Sequence, residues 1–315
     1  MILKLGLAAL TWVNWLKHQE HPFAILYFHR ILDEHDPYCP DDWTKESFDM
    51  LIGRLNRHFN IVSISEALAL QSEGRLPKGS LALSFDDGYQ DNFTNAKLIL
   101  EKYGIKGCFF VATQGLERGY LWNDELQAVI ESSSRDRLHA FDTSFPLGDN
   151  TEKAQTYLNL VGQLKVLPNE ERDKHLQEIV EQLGQVSVPR VMMTADQLLL
   201  LQRTGHDVGA HTHTHSILSY QSDAIAEKEI RISIAKLNDV LPNKVTLFAY
   251  PNGWYGKDFT QKHEIMLRQC GVEIGLSTND GGVTSRTRRT AIPRFMPYRK
   301  EINQFCLSIQ KIAGE

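Results

Sequence analysis

The sequence predicts an α/β protein whose mainly parallel sheet closes into a barrel. Short apolar runs of strand length alternate with amphipathic stretches of helix length, which is the pattern of βαβ units. These units recur often enough over 315 residues to favour a barrel. With 42% hydrophobic residues, a chain of this length can bury a large core.

The predicted strands share high apolar content and short length. In chain order they are FAILYF (23–28), FNIVSI (59–64), SLALSF (80–85), GCFFVA (107–112), HDVGAH (206–211), VTLFAY (245–250), VEIGLS (272–277) and AIPRF (291–295). Helical patterns lie near 44–58 and at 91–103. We therefore expect one barrel domain over residues 21–315.

Residues ~117–192 interrupt this rhythm. A polar section, ESSSRDRLHAFDTSFPLGDNTEK, is flanked there by helical patterns, which indicates a helical insertion or lid between barrel units. Because the insertion leaves the barrel after GCFFVA, a strand end, we expect it to overhang the carboxyl edge of the barrel.

The N-terminal segment, residues 1–20, is apolar but short. MILKLGLAALTWVNWL falls below the ~20 residues that a spanning helix needs, and no small-residue cleavage site follows it. Read as a helix, it has its polar residues on one narrow stripe. Docking on the chain's own domain is one interpretation, and peripheral membrane contact through residues 1–18 is the other. We expect a cytoplasmic protein, with association at the inner face of the membrane left open.

Charge and cysteine content exclude several classes of partner and site. The formal net charge is −5, so the chain lacks the basic surface that nucleic-acid binding usually needs. No two cysteines form a C-x-x-C pair, which argues against a zinc knuckle or a disulfide framework and favours reduced thiols; they are Cys39, Cys108, Cys270 and Cys306. The sequence gives no indication of the oligomeric state.

Histidine and aspartate dominate the predicted strand ends. In a parallel barrel, the carboxyl ends of the strands form the active-site face. The residues that follow the apolar runs are His29, Asp86, Asp87, His211, His215, the segment YPNG (250–253) and Arg294. We expect these side chains to meet at one edge of the barrel.

Two imidazoles and one carboxylate form a ligand set that suits zinc, nickel, cobalt or iron(II). Three protein ligands also leave coordination positions open, as in catalytic sites. HTHTH alone also fits a surface loop, but its position after GHDVGA favours a site. His213, between the other two, should point away from them in an extended segment.

The adjacent aspartates of SFDDGY suggest a division of roles. Like charges in close proximity resist joint ionisation unless a cation or hydrogen bonds intervene. One aspartate can ligate a metal while the other takes a proton from the attacking water. The alternative is an Asp-Asp-Gly turn in which one aspartate caps the helix at 91–103.

Taken together, SFDDGY and HTHTH resemble the first two motifs of the NodB-type polysaccharide deacetylases, carbohydrate esterase family four. Further segments occur in the order expected of that family, over about 23–115 and 194–296: ILYFHRI, VSISEAL, LALSFDDGYQDNF, ILEKYGIKGCFFV, GHDVGAHTHTHSIL, LFAYPNG and IPRF.

The resemblance implies a distorted (β/α) barrel that removes N-acetyl groups from a hexosamine-containing glycan with one divalent metal. Zinc is the first choice, with nickel, cobalt and iron as alternatives. By the family's pattern, Asp86 is the general base, and Asp87, His211 and His215 bind the metal. The alternatives are a deformylase or other amide hydrolase of the same superfamily, and a non-catalytic glycan-binding barrel.

The chain departs from the family's pattern at three places. AYPNG puts Ala249 where many members have an arginine and Asn252 where they have a tyrosine. The resemblance implies that the backbone N–H of Asn252 stabilises the oxyanion, a role that needs no particular side chain. Arg294 either replaces the missing arginine beside Asp86 or forms a structural ion pair.

The third departure concerns the general acid. The L-x-H motif is absent from the tail EINQFCLSIQKIAGE, so another residue must protonate the leaving amine. We predict that His29 does so, because it follows an apolar strand and because similar YH segments in the family supply a site histidine. His213 is the reserve candidate, and a purely capping role for His29 is the alternative.

Four aromatics are candidates for stacking on sugar rings: Tyr89, Trp122, Trp254 and Tyr255.

Overall fold

A computed structural model of the protein describes residues 22–297. The apolar segment 1–20, with its predicted docking or membrane contact, lies outside the described residues. Within 22–297, no helix is both long enough and apolar enough to cross a membrane.

The elements alternate as the sequence predicts. The strands are β1 Ala24–Phe28, β2 Ile31–Leu32, β3 Trp43–Thr44, β4 Asn60–Ile61, β5 Ser80–Phe85, β6 Cys108–Val111, β7 Arg137–Ala140, β8 Thr143–Pro146, β9 Asp207–Ala210, β10 Leu247–Ala249 and β11 Ile274–Leu276. The helices are α1 Lys45–Leu55, α2 Ile64–Ser72, α3 Lys97–Lys102, α4 Gln114–Arg118, α5 Trp122–Ser132, α6 Asn150–Leu164, α7 Asn169–Leu183, α8 Ala195–Arg203, α9 Asp223–Val240 and α10 Gln261–Gln269.

Seven parallel strands form the main sheet. Their order is β1-β5-β6-β9-β10-β11, and β4 pairs with the start of β5. Segment 292–295 joins the two edge strands of this sheet, β1 and β11. Ile292 bonds to Gly275 of β11 and to Ser277 just after it, and Phe295 bonds to Ile25 and Tyr27 of β1. The sheet therefore curls into a distorted (β/α) barrel, which confirms the predicted fold class.

Of the predicted strands, only SLALSF keeps its full length, and the two that depart most do so for local reasons. In FNIVSI the strand ends at Ile61, because the Ser63 hydroxyl accepts the Glu66 N–H and begins α2 at Ile64. In AIPRF, only isolated bridges form beside Pro293, which has no N–H to donate to a ladder.

Strand alternation separates two apolar layers. Phe28, Phe85 and Phe109 stack in a row on the helix-facing side of the sheet, with ring centroids 5.5 and 4.9 Å apart. On the opposite face of β5, Ala82 packs in the inner layer, and Ser84, two residues further, points the same way. This inner face leads directly to Asp86.

The insertion folds around a core of its own. It contains α5, the β7–β8 hairpin, α6 and α7, which pack about a separate cluster of buried side chains that includes Leu126, Leu160 and Ile179. Asn169, at the start of α7, bonds to Thr214 and Ser216 in the loop after β9. Lys165 lines the same cavity as Asp86. The insertion thus reaches the carboxyl ends of the barrel strands.

Candidate active site

A tight turn after β5 presents the two aspartates to different neighbours. Asp87 has φ 73° and Gly88 has φ 91°, the left-handed region that side chains disfavour. A Cβ on Gly88 would lie 2.9 Å from a Val111 methyl group, so the position requires glycine. The reversal sends the Asp86 and Asp87 carboxylates in different directions.

Asp87, His211 and His215 form a compact triad. The Asp87 Oδ1 atom lies 3.0 Å from His215 Nε2 and 3.4 Å from His211 Nε2. One ligand atom from each residue falls within 4.8 Å of the others. Burial opposes the charge of Asp87, but His215 and His211 beside it hold its carboxyl pKa well below the usual value.

The triad fits a divalent transition-metal ion. Asp87 Oδ1 is buried and accepts no hydrogen bond within the described residues. The Ala249 carbonyl lies 2.8 Å from His211 Nδ1, which places the proton of a neutral ring there and directs the Nε2 lone pair at Asp87. Two lone pairs facing each other across this gap repel unless a cation lies between them. An aspartate with two histidines is a donor set that suits zinc.

A residue outside the HTHTH loop holds the loop in its conformation. Glu229 of α9 accepts the backbone N–H groups of His213 and Thr214 at 2.9 and 2.8 Å. The His213 ring lies 2.9 Å from the Thr113 hydroxyl and is not part of the triad. Among residues 22–297, four of the six non-glycine residues with positive φ lie at this site: Asp87, Thr212, His215 and Asn252.

Asp86 has a different partner, Arg294. Two guanidinium nitrogens of Arg294 donate to the two Asp86 oxygens at 2.7 and 2.8 Å. Two further donors bond to Ser84 Oγ at 3.2 Å and to the Ser277 carbonyl at 3.1 Å. Arg294 is completely buried, so it orients Asp86 without contacting the cavity.

The electrostatics keep Asp86 ionised. Burial alone would raise its pKa, but the Arg294 charge, followed by His211, holds the Asp86 pKa below its usual value. An ionised carboxylate therefore stands beside the triad at neutral pH. Its oxygens retain lone pairs beyond the two that Arg294 occupies.

A cavity of about 430 Å³ opens over these groups. Its wall includes Asp86, His211 and His215, together with His29, Asn252 and Trp254. Trp254 is half exposed, at 50%, and so presents an aromatic face at the rim. Tyr89 lies instead in a neighbouring cavity, Trp122 is buried under the Arg172 guanidinium, and Tyr255 packs against Phe259.

His29 and Asn252 both face the catalytic cavity. His29 is half-buried after β1 and lies close enough to Asp86 and Asp87 for its charge to influence both. Asn252 has φ 57°, and its carbonyl accepts the Thr278 hydroxyl at 2.5 Å. No protein acceptor takes the Asn252 N–H among the described residues.

The sequence profile of the polysaccharide deacetylase family matches residues 73–273, more than half of the chain. The chain belongs to the polysaccharide deacetylase family. It is therefore a hydrolase that acts on carbon–nitrogen bonds other than peptide bonds. No curated protein sequence matches the chain.

Solved structures of deacetylases share this fold. The deacetylase PplD from Streptococcus pyogenes, in complex with acetate, has TM-score 0.63 and 16% identity over 92% of this chain and 99% of that one. IcaB from Ammonifex degensii has TM-score 0.58 and 16% identity, over 92% and 97%. A de-N-acetylase from Aggregatibacter actinomycetemcomitans has TM-score 0.55 and 14% identity, over 90% and 99%.

Several supporting residues of this polysaccharide deacetylase were not predicted from sequence. Ser84 and Ser277 hold Arg294, Glu229 holds the HTHTH loop, and the Ala249 carbonyl orients His211. Only Glu229 left a signal in the sequence, because it is the one charged residue on the buried, mostly apolar face of α9. A backbone carbonyl, such as that of Ala249, leaves no signal in the sequence, because every residue has one.

Proposed function

We propose that the chain removes N-acetyl groups from an N-acetylhexosamine-containing polysaccharide, oligosaccharide or glycan precursor. The observation that carries the proposal is the ionised, Arg294-bound Asp86 next to the Asp87, His211 and His215 triad. A water between these groups has a base on one side and a cation site on the other. The acetate in the PplD structure, a product of deacetylation, supports the same chemistry.

We propose zinc as the ion held by Asp87, His211 and His215. A divalent ion there would supply Lewis acidity, which lowers the pKa of water and polarises a carbonyl. Nickel, cobalt and iron are the alternatives, because the same nitrogen and oxygen donors bind them.

The chain's own residues then have distinct roles. Asp86, fixed by Arg294, accepts a proton from the attacking water. The free N–H of Asn252 donates to the oxygen that becomes negative when the acetyl carbonyl is attacked. His29 protonates the amine as it leaves, so that acetate and an amino sugar are the products.

Acetate release is the direct test. Zinc-loaded protein would be incubated with N-acetylated oligosaccharides, nucleotide-linked sugars and lipid-linked sugars, with N-formyl analogues in parallel. We expect acetate from at least one N-acetyl substrate and ~100-fold less from Asp86→Asn. Formate release with no acetate would make the chain a deformylase, and release of neither acid from any substrate would contradict hydrolysis of these glycans.

A further inference from the structure

Two lysines line the catalytic cavity without a partner for either side chain. Lys165, at the end of α6 in the insertion, is half-buried, and Lys257, in the loop after β10, is exposed. Within residues 22–297, neither ammonium group forms an ion pair or a hydrogen bond. Two positive charges therefore stand in the wall of the same cavity as Asp86.

The acids in this wall leave an excess of positive charge. Asp86 is bonded to Arg294 through both of its carboxylate oxygens. The other acid that lines the cavity is Asp258, a buried residue whose Oδ2 accepts the Trp254 N–H at 3.0 Å. Among the described residues of the wall, one carboxylate thus remains to offset two ammonium groups. The cavity is suited to a ligand that carries negative charge.

The two lysines flank one loop, residues 216–221, which follows HTHTH. On one side, the Asn169 N–H, shortly after the first lysine, donates to the Gln221 side chain at 3.0 Å. On the other side, the Ser219 N–H donates to the carbonyl of Asp258, next to the second lysine, at 3.0 Å. Each ammonium group sits on a flexible four-carbon side chain. One anion in the cavity can therefore contact both.

The position of this charge fits a phosphate on the sugar that is deacetylated. A lysine ammonium group is a compact point charge that binds phosphate. In an N-acetylhexosamine, the acetamido group is on C2, and C1 beside it carries the linkage. With the acetamide at the Asp87, His211 and His215 triad, a phosphate on C1 stays inside the same cavity. At about 430 Å³, the cavity has the size of small-molecule sites.

We propose that the catalytic cavity selects an N-acetylhexosamine with a phosphate on its anomeric carbon, and that Lys165 and Lys257 bind this phosphate. The substrate is then a glycan precursor. A nucleoside diphosphate sugar and a lipid diphosphate sugar share the recognised group. The two lysines act in substrate selection and not in the chemical step. The inference rests on the proposed function, because it narrows the substrate class of the same site.

Equilibrium binding tests the proposal without turnover. Zinc-loaded Asp86→Asn protein would be titrated calorimetrically with N-acetylglucosamine 1-phosphate and with methyl N-acetylglucosaminide, which lacks the phosphate. We expect the sugar phosphate to bind ~10-fold more tightly at low salt. Adding Lys165→Gln or Lys257→Gln should reduce this ratio ~3- to 5-fold each, the effect of one charge contact near solvent, and leave the methyl glycoside unaffected. Raising the ionic strength to ~0.5 M should also reduce the ratio.

The matched control is Lys244→Gln. Lys244 is an exposed lysine that precedes β10, at the edge of the barrel opposite the cavity, so the ratio should stay unchanged. Metal content, measured on every variant, verifies that the triad is intact. Further titrations with N-acetylglucosamine linked to uridine diphosphate and to a short polyprenyl diphosphate distinguish the two carriers. Tighter binding of either one identifies the carrier.

Three results would overturn the selection of a sugar phosphate and leave the deacetylase function standing, provided that the wild type releases acetate. The first is equal affinity for the sugar phosphate and the methyl glycoside. The second is a ratio that survives in the double variant Lys165→Gln, Lys257→Gln, because another group would then bind the phosphate. The third is tighter binding of a uronate-containing disaccharide than of the sugar phosphate. Absence of acetate release from every substrate would instead overturn the proposed function.

Discussion

Asp86 and Asp87 are neighbours in sequence, yet within residues 22–297 their carboxylates form ion pairs with different residues. The left-handed turn at Asp87 and Gly88 aims one carboxylate at Arg294 and the other at His211 and His215. Because each carboxylate faces a cationic or hydrogen-bonding group, both can be ionised despite their proximity. These separate surroundings support the proposed roles of Asp86 as base and Asp87 as metal ligand.

Arg294 should act on turnover through Asp86 alone. A lysine cannot form the two-pronged bond to the carboxylate, so Asp86 would lose its fixed orientation. We expect Arg294→Lys to lower kcat ~10- to 100-fold with metal content unchanged. The matched control is Arg288→Lys, at an arginine that binds Glu264 and is half exposed, and it should keep wild-type kcat. Unchanged kcat in Arg294→Lys, with the fold verified by circular dichroism, would contradict the orienting role.

His29 should matter only where the leaving group needs a proton. We expect His29→Ala to lose ~100-fold or more on acetamide substrates and much less on an ester whose leaving group departs as an anion. The test is to measure turnover of a matched amide and ester by the wild type and by His29→Ala, together with the metal content of both proteins. Equal losses on the two substrates would rule out the acid role.

The chemistry-bearing residues could be predicted because their types are rare at strand ends. Asp86, Asp87, His211 and His215 follow apolar strands, and the barrel brings those ends together. The sequence left open whether Arg294 orients the base or forms a structural ion pair, and the geometry shows a buried ion pair between Arg294 and Asp86, the proposed base. The bonds of Asn169 to Thr214 and Ser216 could not be predicted, since they depend on how the insertion packs on the barrel.

At the scale of elements, helix α9 supports the HTHTH loop, which carries two of the proposed metal ligands, although α9 itself carries none. Glu229 is 5% exposed and accepts two backbone N–H groups and the Thr214 hydroxyl from HTHTH. Asn169 of the insertion reaches the same carboxylate at 3.2 Å. Glu229 therefore holds the HTHTH loop, including Thr212 and His215, whose φ angles are positive.

Removing that acid should weaken metal binding. We expect Glu229→Ala to reduce zinc affinity ~10- to 100-fold, as loss of groups that orient ligands typically does. Glu227→Ala, at an exposed position on the same helix, is the control and should bind zinc normally. Competition with a zinc-binding dye would measure both, and identical affinities would show that the loop needs no support from α9.

Element boundaries were predicted best where one signal dominated. SLALSF is buried at all six positions and forms β5 as predicted, since a central parallel strand is apolar on both faces. The β7–β8 hairpin was not predicted, because its strands are four residues long and β7 buries only Leu138. Its formation depends on packing against α7, which no local pattern reveals.

At the scale of the whole molecule, one segment both closes the barrel and orients Asp86, the proposed base. Segment 292–295 bonds to β1 and β11 and carries Arg294 into the interior, 208 residues along the chain from Asp86. Loss of barrel closure would therefore leave Asp86 without its bond to Arg294. Stability and activity are linked through this one segment.

Two buried histidines should make stability depend on pH. Burial lowers the pKa of His206 and of His263 to about 4 each, and each Nδ1 accepts a backbone N–H. Because these folded-state values lie below the unfolded value of ~6.5, the stability is fully present above pH 6.5 and is lost as the pH falls toward 4. Each histidine contributes a slope of up to ~1.4 kcal/mol per pH unit.

Urea unfolding between pH 7.5 and 4.5 measures this dependence. We expect the double variant His206→Gln, His263→Gln to be less stable at pH 7.5 but to lose less stability on acidification than the wild type. If the free energy of unfolding fell equally with pH in both proteins, groups other than His206 and His263 would be responsible for the loss of stability in acid.

A zinc titration of metal-stripped protein, with bound zinc and acetate release followed in the same samples, tests whether Asp87 binds the metal while Asp86 acts as the base. Wild type, Asp86→Asn and Asp87→Asn would be compared. We predict that the wild type and Asp86→Asn bind about one zinc ion per chain and that Asp87→Asn binds far less. Acetate release should rise with zinc in the wild type and be ~100-fold lower in fully loaded Asp86→Asn. Full turnover by the metal-stripped wild type, or identical behaviour of the two aspartate variants, would contradict the account.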